Sequence, residues 1–282
     1  MKELIAKILY YIGSPFRPDP RLLSIYFHDI EPLNFEKMLR WCVKHHYRFV
    51  SLTDLVLMLE GNIPIDEKYV FISFDDGRKG NQELIPLFEK YQVPVTIFCA
   101  VEPVVKGGGF WWDYVLTSTG SRREVERFKS FSENEFNKEM LKLKSSTHLE
   151  RAAITLTEMK VMDNNQYVDI QSHTMTHPIL TCLSKISLHR ELRESKAYLA
   201  QALNKDIFAF SYPNGSLSQR EIEAAKEYYR CAVTTEEIYP VVGCDLYQIP
   251  RIVQTGDYWT NLCRIKGLWK MIDKFKNMIG RP

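Results

Sequence analysis

The stretch YVFISFDDG, residues 69–77, begins as a run that is apolar or small on both faces and ends on two adjacent carboxylates and a glycine. A segment apolar on both sides suits a strand buried in a parallel sheet. Six further runs have the same character: LLSIYF (22–27), VPVTIFCA (93–100), YVDIQS (167–172), IFAFSY (207–212), CAVTT (231–235) and LYQIPRIV (246–253). Between them FEKMLRWCVKHH (35–46), ELIPLFEKY (83–91), the residues after Leu183 and SQREIEAAKEYY (218–229) repeat apolar residues at helical spacing. Strand then helix, repeated along a chain, predicts an α/β fold, either a barrel or an open doubly wound sheet. About seven strands favour the (β/α) barrel, with chemistry at the C-terminal ends of its strands.

One segment breaks the rhythm. From Gly107 to about Gln166, charged helical patterns such as REVERFKSF (123–131) and NEFNKEMLKLK (134–144) predict a helical insertion over 107–166. Its start, GGGFWWDY (107–114), sets Trp111 and Trp112 just beyond a strand end, where they would stack on a sugar or anchor the insertion to the core.

At 282 residues the chain is long enough for a full core and reads as a single catalytic domain over 1–282. Hydrophobic residues at 45% and charged residues at 26% leave no disordered block to subtract. Lys and Arg number 37 against 35 Asp and Glu, a formal charge of +2, so no field gathers nucleic acid and no such partner is expected. Cys42, Cys99, Cys182, Cys231, Cys244 and Cys263 lack CxxC or zinc-knuckle spacing, which suits reduced thiols and a cytoplasmic location. The N-terminal MKELIAKILYYIGSPF carries Glu3 and Lys7 and no A-x-A site, and does not read as a signal peptide. No run approaches the roughly 20 apolar residues that span a bilayer.

Three short motifs carry the chemistry. Asp75 and Asp76 sit at the mouth of their strand, where one carboxylate can bind a metal while its neighbour takes a proton from water. QSHTMTHP (171–178) follows another strand and spaces His173 and His177 four residues apart, close enough to converge on one ion. Two imidazoles and one carboxylate form a three-ligand set with open positions, as in catalytic zinc sites; cobalt, nickel, iron or manganese fit the same ligands. FSYPNG (210–215) ends a third strand in a turn whose backbone N–H groups could receive an oxyanion.

In this order and at these separations, SFDDG, HTMTHP and FSYPNG resemble the polysaccharide deacetylase family, the carbohydrate esterase group with the NodB homology fold, over roughly residues 22–254. The order of three motifs is more specific than any one of them. The resemblance implies a distorted (β/α) barrel, one divalent metal ion, and removal of an N- or O-acetyl group from an acetylated amino sugar of a cell-surface polysaccharide or its precursor. By position, Asp75 resembles the family's catalytic base, Asp76, His173 and His177 its metal ligands, and the Asn214 amide its oxyanion donor. Tyr212 and Pro213, beside Asn214, are expected to meet substrate.

The chain also departs from the family pattern. Ser211 stands where the third motif usually has an arginine, and Arg251 in IPRIV resembles the arginine that some members supply from a later strand to pair with the base. Asn214 replaces an aromatic residue. No histidine follows His189, whereas the family commonly has a general-acid histidine near the C-terminus. His28 in IYFHDI, similar to the YHD of biofilm polysaccharide deacetylases, is the substitute acid or a substrate contact, with Asp29 orienting its ring. These departures leave two rivals: a catalytically weak carbohydrate-binding homologue, and a metal-dependent amidase or deformylase acting on a non-polymeric substrate.

The chain ends suggest location. Leu4, Ile5, Ile8, Leu9 and Ile12 share a helical face, as do Leu262, Ile265, Leu268, Trp269, Ile272 and Phe275 in an amphipathic helix expected over 256–282. Arg264, Lys266, Lys270, Lys274 and Lys276 accompany the second stripe. Such ends either close the barrel bottom or dock peripherally on the inner membrane face.

Overall fold

The computed structural model describes residues 2–268. Its strands are β1 (Leu22–Phe27), β2 (Tyr47–Val50), β3 (Lys68–Asp76), β4 (Val95–Cys99), β5 (Val168–Ser172), β6 (Ala209–Ser211), β7 (Cys231–Val233) and β8 (Ile252–Val253). They are ordered β7-β6-β5-β4-β3-β1-β8, with β2 also on β3, and every ladder is parallel. Ile249 bridges Val233 of β7 while Ile252 pairs with Ile25 of β1. Residues 249–253 therefore touch both ends of the path, and the sheet curls into a distorted (β/α) barrel.

The seven expected runs supply seven of these strands. β2 was not expected, because YRFV alternates buried Tyr47 and Val50 with exposed Arg48 and half-buried Phe49 and so lacks a continuous apolar signal. LYQIPRIV contributes only Ile252–Val253 as strand, since Pro250 has no N–H to give a ladder.

Side chains alternate between two cores, as strand geometry requires. Ile25, Phe27, Ile72, Phe74, Ile97 and Ile170 face the helices, while Phe71, Phe98, Ala209, Val233 and Ile249 form a separate cluster with the helix Leu52–Leu59. On this second face, the C-terminal half of the strands becomes polar. Ser73 and Asp75 on β3 and Gln171 and His173 at the end of β5 stand at alternate positions, Ser211 follows Ala209 and Arg251 follows Ile249 in the same way, and all six are buried.

Between β4 and β5 lie the helices Val101–Lys106, Trp111–Thr119, Arg122–Phe128, Glu133–Ser146 and Leu156–Asp163. Ser121, Ser132 and Thr155 cap three of them by accepting from the N3 backbone N–H. Trp111, Val115, Phe128, Met140 and Ile179 make a small core of their own in this region. At the chain's end the helix Tyr258–Ile265 buries Leu262 and Ile265, and Leu268 after it is buried too. That part of the second terminal stripe is therefore committed to the protein interior and offers nothing to a membrane. Trp269, Lys270, Ile272, Lys274, Phe275 and Lys276 lie outside the described residues.

Candidate active site

Asp75 projects from β3 into the polar end of the inner face, where Arg251 meets it. The guanidinium donates from Nη1 to Oδ1 and from Nη2 to Oδ2, each at 2.8 Å; Arg251 is fully buried and Asp75 is 2% exposed. Three more acceptors fix the arginine: the Thr234 carbonyl at 3.1 Å, Ser73 Oγ at 3.0 Å and Ser211 Oγ at 2.9 Å. Its plane lies over Tyr26, 4.2 Å from the ring centroid. Burial alone would push the Asp75 carboxyl up, but the charge and hydrogen bonds of Arg251, together with the nearby histidines, hold the group below the usual carboxylate value. Asp75 is therefore an ionised carboxylate with a fixed orientation.

Asp76, the next residue, has left-handed backbone (φ 75°), as does Gly77 (φ 73°). A Cβ on Gly77 would approach Cys99 Sγ to 2.7 Å, which explains the glycine that closes the motif. This turn aims Asp76 Oδ1 at two imidazoles, with Nε2 of His177 at 3.4 Å and Nε2 of His173 at 3.6 Å. Both exceed an ordinary N–H···O distance of about 2.9 Å, and the buried Oδ1 accepts no hydrogen bond. His173 Nδ1 lies 2.8 Å from the Ser211 carbonyl, which can only accept, so Nδ1 carries the proton and Nε2 presents a lone pair. Burial pushes the His177 pKa down, favouring its neutral form.

This donor set fits a divalent cation. The three ligand atoms lie within 4.8 Å of one another, and ligands about 2.1 Å from a tetrahedral ion would stand about 3.4 Å apart. Among the described residues this is the group of three that meets such a test.

The histidine loop is held from two sides. Thr174 and His177 both have positive φ (69° and 58°). Buried Glu191 accepts from the Met175 and Thr176 N–H groups at 2.9 Å and from Thr176 Oγ1 at 2.8 Å, while Thr174 Oγ1 accepts from the His177 N–H at 3.0 Å. From the other side Trp111 Nε1 donates to the His177 carbonyl at 3.1 Å. Trp111 is accordingly an anchor, 6% exposed. Trp112 is half-buried, stacks on Phe110 at 4.7 Å and stands edge-on to His177 at 4.6 Å.

A cavity of about 350 Å³ opens over Asp76 and His177. His28, Asn214 and Trp112 line it, and Arg122 and Lys129 enter from the segment between β4 and β5. Asn214 sits at φ 58° and its side chain donates to Ser216 Oγ at 3.0 Å. His28 is exposed, edge-on to Tyr26 at 5.6 Å. Tyr212 and Pro213 do not line this cavity: both are buried, and Tyr212 packs on Phe210 at 4.9 Å in the helix-facing core. Strand alternation puts Tyr212 on the opposite face from Ser211, so its side chain, expected to meet substrate, faces away from this cavity.

Further side chains complete the site. Arg78 donates from Nε to Asp76 Oδ2 at 3.1 Å and lies over Phe110. Ser73, Ser211 and Tyr26 surround Arg251, and Glu191 acts from a helix. For the strand residues Tyr26, Ser73 and Ser211 the signal is the alternation of polar residues along otherwise apolar strands; Arg78 and Glu191, off the strands, have none.

Known proteins give a consistent comparison. The family model described as polysaccharide deacetylase matches residues 62–230. The Bacillus subtilis protein YxkH, whose name places it with the polysaccharide deacetylases, is 25% identical over 205 residues, 72% of this chain and 57% of that protein. The chain thus aligns with little more than half of that relative's length. Among solved structures, the Streptococcus pyogenes deacetylase PplD in complex with acetate is 22% identical, with a TM-score of 0.63 over 89% of this chain and 99% of that one. IcaB from Ammonifex degensii is 17% identical, with a TM-score of 0.66 over 89% and 98%. These two structures share the fold.

Proposed function

The chain belongs to the polysaccharide deacetylase family, and from that premise we propose that it hydrolyses the N-acetyl group of an amino sugar at a divalent ion held by Asp76, His173 and His177. When bound, the ion would supply Lewis acidity for the acyl oxygen and for water. The observation that carries the proposal is the side-by-side placement of two buried carboxylates with separate partners: Asp76 faces two imidazoles and Asp75 faces Arg251. Asp75, ionised and oriented, takes a proton from the attacking water. The turn at Asn214 supports a role in holding the acyl oxygen. His28, exposed at the cavity, is the residue we assign to return a proton to the leaving amine. Trp112 gives an apolar face for the sugar ring.

The substrate we propose is a sugar that also carries phosphate, as nucleotide- and lipid-linked precursors of cell-surface polysaccharides do. Arg122 and Lys129 at the cavity support this, although Lys129 also pairs with Glu126 at 2.9 Å. The experiment is a metal-reconstituted screen of N-acetylhexosamine phosphates against neutral N-acetylhexosamine oligomers, formylated sugars and cyclic imides, reading acetate or formate. Acetate release with preference for the phosphorylated sugar is expected. Formate release, or no product with zinc, cobalt, nickel, iron or manganese, overturns the reading.

A further inference from the structure

The helix Lys2–Gly13 is apolar on two faces, and the fold covers one. Ala6 and Tyr10 are buried: Cys263 Sγ lies 3.2 Å from the Ala6 carbonyl, and Trp41 Nε1 donates to the Tyr10 hydroxyl at 3.1 Å. Gly13 sits so close to Leu268 that a Cβ would meet it at 2.8 Å. With about 100° between successive residues, Leu4, Ile8, Tyr11 and Ile12 fall on a second arc roughly 100° wide. All four are exposed, by 49–65%, and Phe16 in the following turn is exposed by 82%. Scattered exposed apolar residues need no explanation, but four on one helical arc, with exposed Phe16 in the turn that follows, favour a partner.

Charge identifies the partner. Lys7 borders the stripe and Arg17 follows Phe16, both exposed, against a single carboxylate on the helix, Glu3. The described chain ends at Leu268, against Gly13 of this helix. An apolar stripe with a cationic border matches an anionic lipid surface, where apolar side chains enter the acyl boundary and ammonium and guanidinium groups meet headgroups. No helix among the described residues is long and apolar enough to cross a membrane. We propose that the face Leu4–Ile8–Tyr11–Ile12–Phe16 lies in the interface of an anionic bilayer. The inference goes beyond the catalytic reading and does not depend on it.

The test is flotation of the full chain with phosphatidylcholine–phosphatidylglycerol vesicles, compared with phosphatidylcholine alone. Binding to the anionic vesicles is expected, weakened by salt. The triple variant Leu4→Ser, Ile8→Ser, Ile12→Ser should partition at least about tenfold less while keeping the parent's circular dichroism and thermal midpoint. Asp75→Asn should float like the parent, which separates this inference from the catalytic one. A full chain that stays at the bottom with anionic vesicles overturns the proposal. So does light scattering that finds a dimer dispersed by the triple variant, which assigns the face to a second copy. Protease sensitivity of the helix that appears only after truncation at 268 assigns it to residues 269–282 instead, and also overturns it.

Discussion

Arg251 and Asp75 face each other through two parallel N–H···O contacts of 2.8 Å, with the guanidinium fully buried and the carboxylate nearly so. A buried fork of this kind sets orientation as well as charge, which lysine cannot reproduce. Arg251→Ala leaves a buried carboxylate without its partner and should cost about 3–5 kcal/mol in urea unfolding. Asp75→Asn keeps the shape and should retain bound metal while lowering kcat about a hundredfold or more. Unchanged turnover in Asp75→Asn, with metal content intact, would reassign the base.

Elemental analysis of protein purified without chelator should find one divalent ion per chain. Asp76→Ala, His173→Ala or His177→Ala should each reduce that content and the rate together, because three ligands leave no redundancy. Chelator-treated parent protein should recover activity with zinc or cobalt. Retained metal in all three variants would move the site elsewhere.

The group Asp76, His173 and His177 is legible in sequence because it lies in short motifs at or just beyond strand ends, so local spacing nearly determines its geometry. Arg251 became readable only through resemblance, since 176 residues separate it from Asp75. Glu191 is not legible: a glutamate in an amphipathic helix ordinarily faces solvent, and only the tertiary fold brings it to the loop at Met175 and Thr176. Tyr212 lies within a legible motif, yet strand alternation places its side chain away from Ser211 and into the helix-facing core. β2 escaped notice because its half-exposed middle breaks the apolar run.

Glu191 offers a way to perturb the ligands without touching them. Burial raises its pKa despite the hydrogen bonds from Thr176 and Met175. Glu191→Ala orphans two backbone N–H groups and should destabilise the protein by about 2 kcal/mol. Because His177 sits in the same left-handed loop, metal affinity measured by competition with a chromophoric chelator should fall several-fold. Glu191→Gln should recover part of both effects, and unaltered affinity in Glu191→Ala would show that the loop holds itself.

The two tryptophans should separate by kinetics. Trp111→Phe removes the donor to the His177 carbonyl while leaving most of the packing, so metal affinity should drop several-fold with KM little changed at saturating metal. Trp112→Ala removes a face that lines the cavity and should raise KM about five- to tenfold with a smaller change in kcat. The reverse pattern would exchange their roles.

Asp19 makes stability depend on acid far from the site. Its carboxylate meets Lys266 at 2.5 Å, Lys68 at 2.7 Å and His45 at 3.0 Å. Burial opposes its ionisation, yet the hydrogen bonds from Lys266, Lys68 and His45 outweigh it and hold the carboxyl below its usual value. A folded-state pKa below the unfolded one means that the contribution is complete above about pH 4 and is lost as pH falls toward the folded value. Urea titrations of Asp19→Asn against the parent should therefore show a deficit of about 2 kcal/mol at pH 7 and pH 5 that narrows below pH 4. A deficit of constant size across that range would mean that the carboxylate's charge contributes nothing and that the variant acts through packing alone.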